Sequence, residues 1–296
     1  MRTSARPRKR VPRPQTSPQF KEARLRETTG KQGLIKPTDW KGRVGMTLLE
    51  TRGLTKKFFG LTAVDSVDIN IEPGELVSLI GPNGSGKTTL FNCMTGFLGA
   101  DGGKVYYRGG DITDLPAHEI ALLGISRTFQ QARIYRRLSV LENLLMGVQE
   151  HQGDSILDRI LRTKKLNRLE KEAIERAEEL MGFVGLSHLR DQPAGNLSYG
   201  QYKLLVFAAA LMPDPDLLLL DEPAAAINPT MINKMKDHMV ELNKTGMTIL
   251  FIEHNMEVVM DICERIIVLD AGRKIAEGAP EAIRNDERVV EAYFGR

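Results

Sequence analysis

A glycine-rich octapeptide followed by a predicted helix is the most specific chemical signal in the sequence. It reads Gly81-Pro82-Asn83-Gly84-Ser85-Gly86-Lys87-Thr88 and comes directly after the apolar stretch 76–80. Glycines at its first and sixth places let the backbone curl with its N–H groups pointing inward, through dihedral angles that a Cβ would forbid. The order of strand, turn and helix is typical of a P-loop, which holds nucleotide phosphates. The sequence therefore predicts a nucleoside triphosphate site.

The side chains at the end of this turn add a charge and a metal ligand. A helix that begins near Lys87 turns the positive end of its dipole towards the phosphates. Lys87 would reach the outer phosphates, and the hydroxyl of Thr88 would bind Mg²⁺. The predicted nucleotide contacts of this segment are Gly81, Pro82, Asn83, Gly84, Ser85, Gly86, Lys87, Thr88 and Thr89.

Two carboxylates end a second apolar strand. The stretch 217–220 consists of leucines, and Asp221, Glu222 and Pro223 follow it. A buried strand would deliver Asp221 at its C-terminal edge, facing the P-loop, where a carboxylate oxygen is a suitable Mg²⁺ ligand. Glu222, turned by Pro223, would polarise a water molecule for attack on the γ-phosphate. The alternative is an acidic helix cap after a core strand, and the P-loop elsewhere in the chain favours the catalytic interpretation.

These side chains need a sheet that brings several strand ends together. Apolar runs predict strands at 48–52, 67–71, 76–80, 105–108, 217–220, 247–252 and 265–269. Helices are predicted at 231–243, from the end of strand 247–252 to Cys263, and at 287–294. This alternation indicates an α/β fold with a mostly parallel sheet between helices. Between 140 and 189 the sequence is helical and charged with one apolar face, which predicts a separate helical lobe.

A further segment connects these motifs to a known family. Leu197-Ser198-Tyr199-Gly200-Gln201, in register with the P-loop and with Asp221 and Glu222, resembles the signature sequence of ATP-binding cassette (ABC) ATPases. In that family the segment lies at a helix N-terminus and caps the γ-phosphate bound to the opposite subunit. The resemblance implies that Ser198, Gly200 and Gln201 contact nucleotide. Tyr199 stands where the family usually has glycine, which affects the local packing.

Other positions match the same family. Gln130 resembles the Q-loop glutamine, which implies roles in catalysis and in Mg²⁺ binding, and His254 resembles the switch histidine, which contacts the γ-phosphate. The segment 226–229 is similar to the D-loop, although Ala226 and Asn228 differ from the commonest residues. Phe58 resembles the aromatic residue that stacks on adenine, with the adjacent Phe59 as the alternative.

The nucleotide base is predicted from a missing motif. A guanine-specific Asn-Lys-x-Asp is absent, because Asn243-Lys244 continues as Thr245-Gly246. ATP is therefore the expected nucleotide, with Mg²⁺ as its metal ion. The catalytic residues implied by the resemblance are Glu222, His254 and Gln130, and the implied metal ligands are Thr88, Gln130 and Asp221.

The resemblance also implies an architecture and a set of partners. The family fold is α/β, with a P-loop NTPase core that has a mostly parallel sheet, an antiparallel β subdomain and an inserted helical subdomain. Here the ABC ATPase domain would span 46–296 and the helical subdomain roughly 131–196. Implied partners are integral membrane permease subunits, a second ABC ATPase subunit (a paralogue or a second copy) that completes a nucleotide sandwich, and indirectly an extracytoplasmic solute-binding protein. Such a subunit lies on the cytoplasmic side of the plasma membrane as a peripheral protein.

Within the family the chain is similar to the ATP-binding subunits of bacterial importers of branched-chain amino acids. The runs that carry this similarity are 127–130, 138–144, 221–225 and 292–295. Importers of urea and short amides share much of this pattern and remain an alternative, as do lipid or lipopolysaccharide exporter ATPases. A nucleic-acid-associated ABC ATPase is a further alternative, although the chain lacks the second cassette, zinc sites and long heptad repeats of such proteins.

The distribution of charge and apolar residues limits these alternatives. Residues 1–45 carry 13 Lys and Arg against 3 Asp and Glu, whereas the remainder has 28 against 35 and is acidic. The proline-rich, basic segment 1–45 is predicted to be a disordered extension. The acidic body argues against nucleic acid as its main ligand. No apolar run approaches the roughly 18 residues needed to cross a bilayer, and Cys93 and Cys263 are expected in helices as buried thiols.

Overall fold

The computed structural model describes residues 47–128, 134–148 and 164–294, which form two β-sheets and the helices packed on them. The strands are β1 (Leu49–Phe58), β2 (Leu61–Ile71), β3 (Leu76–Ile80), β4 (Gly102–Tyr107), β5 (Gly110–Asp111), β6 (Ile125–Arg127), β7 (Leu217–Asp221), β8 (Thr248–Ile252), β9 (Arg265–Asp270) and β10 (Arg273–Gly278). The helices are α1 (Lys87–Met94), α2 (Ala117–Leu122), α3 (Val140–Leu145), α4 (Lys164–Val184), α5 (Tyr199–Leu211), α6 (Pro229–Lys244), α7 (Met256–Ile262), α8 (Pro280–Arg284) and α9 (Glu287–Phe294).

The larger sheet has six strands in the order β10-β9-β3-β8-β7-β6. All neighbouring strands in it run parallel except β10, which pairs antiparallel with β9. Parallel strands end at one edge, so the loops after β3, β7 and β8 leave the sheet side by side. The predicted α/β fold with a mostly parallel sheet is confirmed, and this edge carries the P-loop, Asp221 and His254.

Each face of this sheet packs into a different core. Leu218 and Leu220 of β7 join one cluster, whereas Leu217 and Leu219 join the other, because successive side chains of a strand point to opposite faces. The first cluster includes residues of α3, α4, α5 and α6, and the second includes residues of α1 and of the smaller sheet. The strands that carry the site are therefore held from both sides.

The smaller sheet is antiparallel, in the order β2-β1-β4-β5, and its strands are longer than the sequence predicts. The predicted strand 48–52 continues to Phe58 and the predicted strand 67–71 begins at Leu61. Gly53, with φ +57°, lies where the pairing of β1 with β2 shifts register. A bulge lets a strand continue past a glycine that would otherwise indicate its end.

Several elements differ from the sequence prediction. Strands β5, β6 and β10 and helices α2 and α8 were not predicted. β5, β6, α2 and α8 have two to six residues, too few for a periodic pattern to show, and β10 has only two apolar residues. The expectation that Cys263 lies in a helix is wrong by one position. Helix α7 ends at Ile262, and Cys263 is a buried, extended residue directly after it. The other cysteine, Cys93, was also expected in a helix, and it is buried within α1.

The helices expected at 140–189 are present in the described part of that range. Along α4 the buried residues Ala177, Leu180 and Val184 lie on one face, in agreement with the predicted apolar face. Its exposed face carries ion pairs one helical turn apart, such as Arg168 with Glu172. Among the described residues, no helix has both the length and the apolar character that crossing a membrane requires.

Candidate functional site

The predicted P-loop lies between β3 and α1. Its glycines are required by close backbone contacts, because a Cβ on Gly81 would lie 2.0 Å from the carbonyl oxygen of Leu269, and one on Gly86 would lie 2.3 Å from that of Ala63. Gly86 is also the N-terminal cap of α1, with φ +99°. The first turn of α1 contains no acidic residue, so its N-terminus is favourable for an anion.

Lys87 is folded into this loop. Its Nζ donates to the carbonyl oxygens of Gly81 at 2.8 Å and Pro82 at 2.9 Å, and to Ser85 Oγ at 3.3 Å. Burial lowers the pKa of Lys87, and the charges of Glu222 and Asp221 oppose that shift. The ammonium group of Lys87 therefore interacts electrostatically with the carboxylates of Glu222 and Asp221 at the carboxyl edge of the sheet.

Asp221 ends β7 as a buried carboxylate. Its backbone N–H donates to Thr128 Oγ1 at 3.1 Å, and its Oδ2 accepts from Arg127 at 3.3 Å. Burial raises the pKa of Asp221, and the charge of Arg127 opposes the rise. Among the described residues its Oδ1 has no hydrogen-bond partner, so a buried oxygen lone pair is available to a cation. A hard carboxylate oxygen in this position fits Mg²⁺.

Glu222 and His254 meet across the ends of β7 and β8. Glu222 Oε1 lies 3.2 Å from His254 Nε2, and the backbone N–H of Glu222 donates to the carbonyl oxygen of Ile252 at 3.0 Å. Glu222 has φ +51°, a left-handed conformation that costs a residue with a Cβ about 1 kcal/mol. Both side chains are partly exposed, so a water molecule can reach them.

Glu253 is a site residue that the sequence reasoning did not identify. Only 2 % of it is exposed, and its two carboxylate oxygens accept backbone hydrogen bonds from different loops. Oε1 accepts from Ala224 at 2.7 Å, and Oε2 accepts from His254 at 3.0 Å and Asn255 at 3.3 Å. The sequence feature that could have identified Glu253 is its position as a charged residue between an apolar strand and His254.

The signature segment begins α5. Ser198 caps the helix, with its Oγ accepting from the Gln201 N–H at 3.3 Å, while the Gln201 side chain accepts from the Ser198 N–H at 2.9 Å. Gly200 faces α6 closely, since a Cβ on it would lie 2.9 Å from Met231 Cγ. Tyr199 is half exposed and stacks on Tyr202, with ring centroids 5.8 Å apart.

A cavity of about 480 Å³ adjoins this segment. Its walls come from the end of α4, the first turns of α5 and the predicted D-loop with the start of α6. Its lining includes Ser198, Gly200, Gln201, Ala226 and Asn228. Asn228 caps α6 by accepting from the Met231 N–H at 3.0 Å. The signature and D-loop residues thus share one open surface.

Two predicted contacts, Phe58 and Gln130, stay predictions. Phe58 ends β1 opposite Leu61 and is 38 % exposed, while Phe59 is in the turn and fully exposed. Phe58 belongs to the hairpin whose strand β2 lies against the P-loop at Ala63. This position is compatible with stacking on the nucleotide base, and that role stays a prediction. Gln130 lies outside the described residues, and its roles in catalysis and in Mg²⁺ binding stay predictions.

Of the remaining predicted contacts, Ser85 is buried, Pro82 and Thr89 are half buried, and Asn83, Gly84 and Thr88 are exposed. The exposed Thr88 directly follows the buried Lys87. The described site therefore consists of a P-loop, a buried carboxylate and a paired carboxylate and imidazole, all at one edge of one sheet. This arrangement can hold a triphosphate and activate water beside it.

Comparisons with known families agree with this geometry. Residues 64–225, more than half of the chain, match the family model described as ABC transporter. Residues 273–296, which follow β9, match a second model, described as branched-chain amino acid ATP-binding cassette transporter.

Curated relatives and solved structures match over most of their length. The chain is 41 % identical to the high-affinity branched-chain amino acid transport ATP-binding protein BraF of Pseudomonas aeruginosa, over 84 % of this chain and 98 % of BraF. A nucleotide-free ATP-binding cassette from an ABC transporter superposes with a TM-score of 0.74 at 40 % identity, covering 85 % of this chain and 100 % of that one. A dimeric cassette bound to ADP and Pi gives a TM-score of 0.67 at 27 % identity, covering 78 % and 98 %.

Proposed function

The chain belongs to the ABC transporter family of ATP-binding cassettes, and from that membership we propose that it is the ATP-hydrolysing subunit of an importer of branched-chain amino acids. The observation that carries the choice of solute is the match of residues 273–296 to a model of that transporter branch. The curated relatives named for branched-chain amino acid transport, matched over nearly their whole length, support the same choice.

Nucleotide binding is assigned to the P-loop. The backbone N–H groups of 81–86 and the N-terminus of α1 hold the phosphates, and Lys87 exchanges its contacts with loop carbonyls for the outer phosphates. This exchange is favourable because a charge-assisted contact to phosphate is stronger than one to a neutral carbonyl. Phe58 stacks on the adenine ring, as the family resemblance implies.

Hydrolysis is assigned to Glu222. A water molecule adds to the γ-phosphorus and gives a proton to Glu222, while the bond from the β–γ bridging oxygen to phosphorus breaks and that oxygen leaves with ADP. His254, 3.2 Å from Glu222, holds that carboxylate before the reaction and contacts the γ-phosphate during it. Asp221, Thr88 and Gln130 are the proposed Mg²⁺ ligands. Bound Mg²⁺ would neutralise charge on the β- and γ-phosphates.

A second cassette completes the site. Ser198, Gly200 and Gln201 begin a helix beside an open cavity, so they are available to a nucleotide held by the P-loop of a partner subunit. The partner is a paralogue or a second copy of this chain. ATP favours the closed pair over the open one because its γ-phosphate supplies contacts that ADP lacks.

Transport requires a partner within the membrane. We assign the cytoplasmic side of the plasma membrane to this subunit, as a peripheral protein bound to integral permease subunits, with an extracytoplasmic solute-binding protein acting through them. The ABC ATPase domain is proposed to span 46–296, with the helical subdomain at roughly 131–196 facing the permease. No nucleic acid is assigned as a ligand, and the segment 1–45 lies outside the described residues.

Reconstitution of the full chain with its permease in vesicles tests this function. Leucine-loaded solute-binding protein on the opposite side is expected to stimulate phosphate release, and radiolabelled leucine is expected to accumulate with ATP. Urea and acetamide serve as competing solutes, because related importers carry them. Stimulation by urea but not by leucine would move the chain to the urea and short-amide branch, and ATP-driven lipid export would contradict import.

A further inference from the structure

A turn of unusual conformation carries the proposed catalytic base. Glu222 has a positive φ, and Pro223, which follows it, has no backbone N–H to donate. Two backbone hydrogen bonds hold the turn: the Glu222 N–H donates to the carbonyl oxygen of Ile252 at 3.0 Å, and the Glu222 carbonyl oxygen accepts from the Ala225 N–H at 3.3 Å. Two buried charged side chains from other elements add to these contacts, one on each side.

The first is Lys203, which lies one turn into the signature helix α5. It is 7 % exposed, and its Nζ donates to the carbonyl oxygen of Glu222 at 2.8 Å. The second is Glu253, which is 2 % exposed and accepts from the Ala224 N–H at 2.7 Å through Oε1. A cation thus holds the carbonyl at the start of the turn and an anion holds the amide at its end.

The two charges also balance each other. Burial lowers the pKa of Lys203, and the charge of Glu253 is the largest factor opposing that shift. A buried charge without an opposite charge nearby is costly, so each residue supports the presence of the other. Glu253 extends the connection further, because its Oε2 accepts the amide of His254, whose imidazole contacts Glu222.

We propose that Lys203 and Glu253 form a clamp that positions Glu222 for hydrolysis and connects it to the signature helix of the same subunit. Ser198 caps α5 and Lys203 lies about one turn further along the same helix, so a movement of α5 on closure with a partner subunit is transmitted to the turn of Glu222. The inference rests on the proposed ATP hydrolysis, and it adds two positioning residues that act through Glu222.

The chemistry of Glu253 gives a sharp test. Glutamine has the same shape, but one of its two oxygens is replaced by an NH₂ donor. Whichever way the amide turns, its NH₂ faces a backbone N–H, either that of Ala224 or those of His254 and Asn255. Glu253→Gln therefore disrupts the clamp without changing volume, and Lys203→Met removes the ammonium group while keeping an apolar stem.

The full chain is compared as wild type, Glu253→Gln, Lys203→Met, the double variant, and Lys203→Arg. Matched controls are Glu257→Gln in the first turn of α7 and Lys244→Met at the exposed end of α6. Three quantities are measured for each: kcat for phosphate release, the dissociation constant for MgATP, and the midpoint temperature of thermal unfolding. Glu253→Gln, Lys203→Met and the double variant are each expected to lose about 10- to 100-fold in kcat, with MgATP affinity within about 2-fold of wild type.

Two further results are expected from a clamp that acts as a unit. The double variant loses no more than the worse single variant, because residues that act together are not additive. Lys203→Arg, which keeps a cation able to donate to the Glu222 carbonyl, recovers most of the activity that Lys203→Met loses. If Glu253→Gln does not fold, Lys203→Met and Lys203→Arg give the same test from the other side of the turn.

Three results would overturn the clamp. The first is a kcat of the clamp variants equal to that of the control variants. The second is a fold-loss in MgATP affinity as large as the fold-loss in kcat, together with a lower midpoint temperature of unfolding. The third is a loss of kcat in the double variant that equals the product of the two single fold-losses. A wild-type chain that binds MgATP but releases no phosphate would contradict the proposed function itself. An active wild type with unaffected variants would contradict the clamp alone.

Discussion

The phenol oxygen of Tyr293 accepts a hydrogen bond from the backbone N–H of Gly81 at 2.8 Å. Tyr293 belongs to the C-terminal helix α9, and Gly81 is the first residue of the P-loop. Burial raises the pKa of Tyr293, so the phenol stays protonated at neutral pH. The segment that matches the branched-chain transporter model therefore touches the phosphate-binding loop directly.

Tyr293→Phe is expected to weaken nucleotide binding while leaving the fold intact. The change removes one oxygen and leaves a partly buried amide without its acceptor, which costs about 1 kcal/mol and lowers MgATP affinity roughly 5-fold. Isothermal titration measures the affinity. Tyr106→Phe, in the antiparallel sheet, is the matched control. Equal affinities in both variants would show that the phenol does not position the P-loop.

Lys87→Ala is expected to abolish measurable ATP binding. Its ammonium group is the cation of the P-loop, and losing charge-assisted contacts to two phosphates lowers the affinity by about 100-fold or more. Lys244→Ala, at an exposed helix end, is the control. Thermal unfolding without nucleotide checks that the loop carbonyls freed by the change do not unfold the chain. Unchanged ATP affinity would contradict the P-loop assignment.

Asp221→Asn is expected to remove the contribution of Mg²⁺ to nucleotide binding. We expect the wild type to bind ATP more tightly with Mg²⁺ than with EDTA, because the buried Oδ1 is available to the metal ion. The neutral variant shows nearly the same affinity under both conditions. Titration of Mn²⁺ followed by paramagnetic resonance gives a second readout that does not depend on turnover. A Mg²⁺ effect as large as that of the wild type would remove Asp221 from the metal ligands.

Substitutions at Gly200 test the role of the partner subunit. Gly200→Asp would place a carboxylate beside the partner's triphosphate and so oppose closure, while the P-loop of the same subunit is unchanged. ATP is therefore expected to bind with wild-type affinity but to give no dimer in light scattering, at concentrations where the wild type forms one. Because a Cβ at this position approaches Met231, Gly200→Ala is the steric control. ATP-dependent dimers of Gly200→Asp would contradict the nucleotide sandwich.

The parts of the site that the sequence predicts are those contained in short contiguous motifs. The P-loop and the pair Asp221 and Glu222 each carry their own strand, turn and chemistry within a few residues, so their local pattern is sufficient. His254 and Ser198 were identified by resemblance. The structure places His254 beside Glu222 and Ser198 at the start of α5, and their roles stay predictions. The mostly parallel sheet follows from the alternation of strands and helices.

The parts that were missed depend on contacts between distant segments. Tyr293 reaches Gly81 across 212 positions in the sequence, and Glu253 reaches Ala224 across 29. Nothing in the residues next to Glu253 indicates that its oxygens accept amides from two loops. The continuation of β1 past Gly53 was missed for the opposite reason, because a local glycine signal was overridden by pairing with β2 and β4.

The central claim is that this chain hydrolyses ATP with Glu222 as the base, and phosphate release measured on wild type and Glu222→Gln tests it most directly. The glutamine variant keeps the shape of the site but cannot take the proton from water. We predict MgATP binding of wild-type strength and turnover reduced by about 10²- to 10⁴-fold. Phosphate release by Glu222→Gln at the wild-type rate would contradict the account.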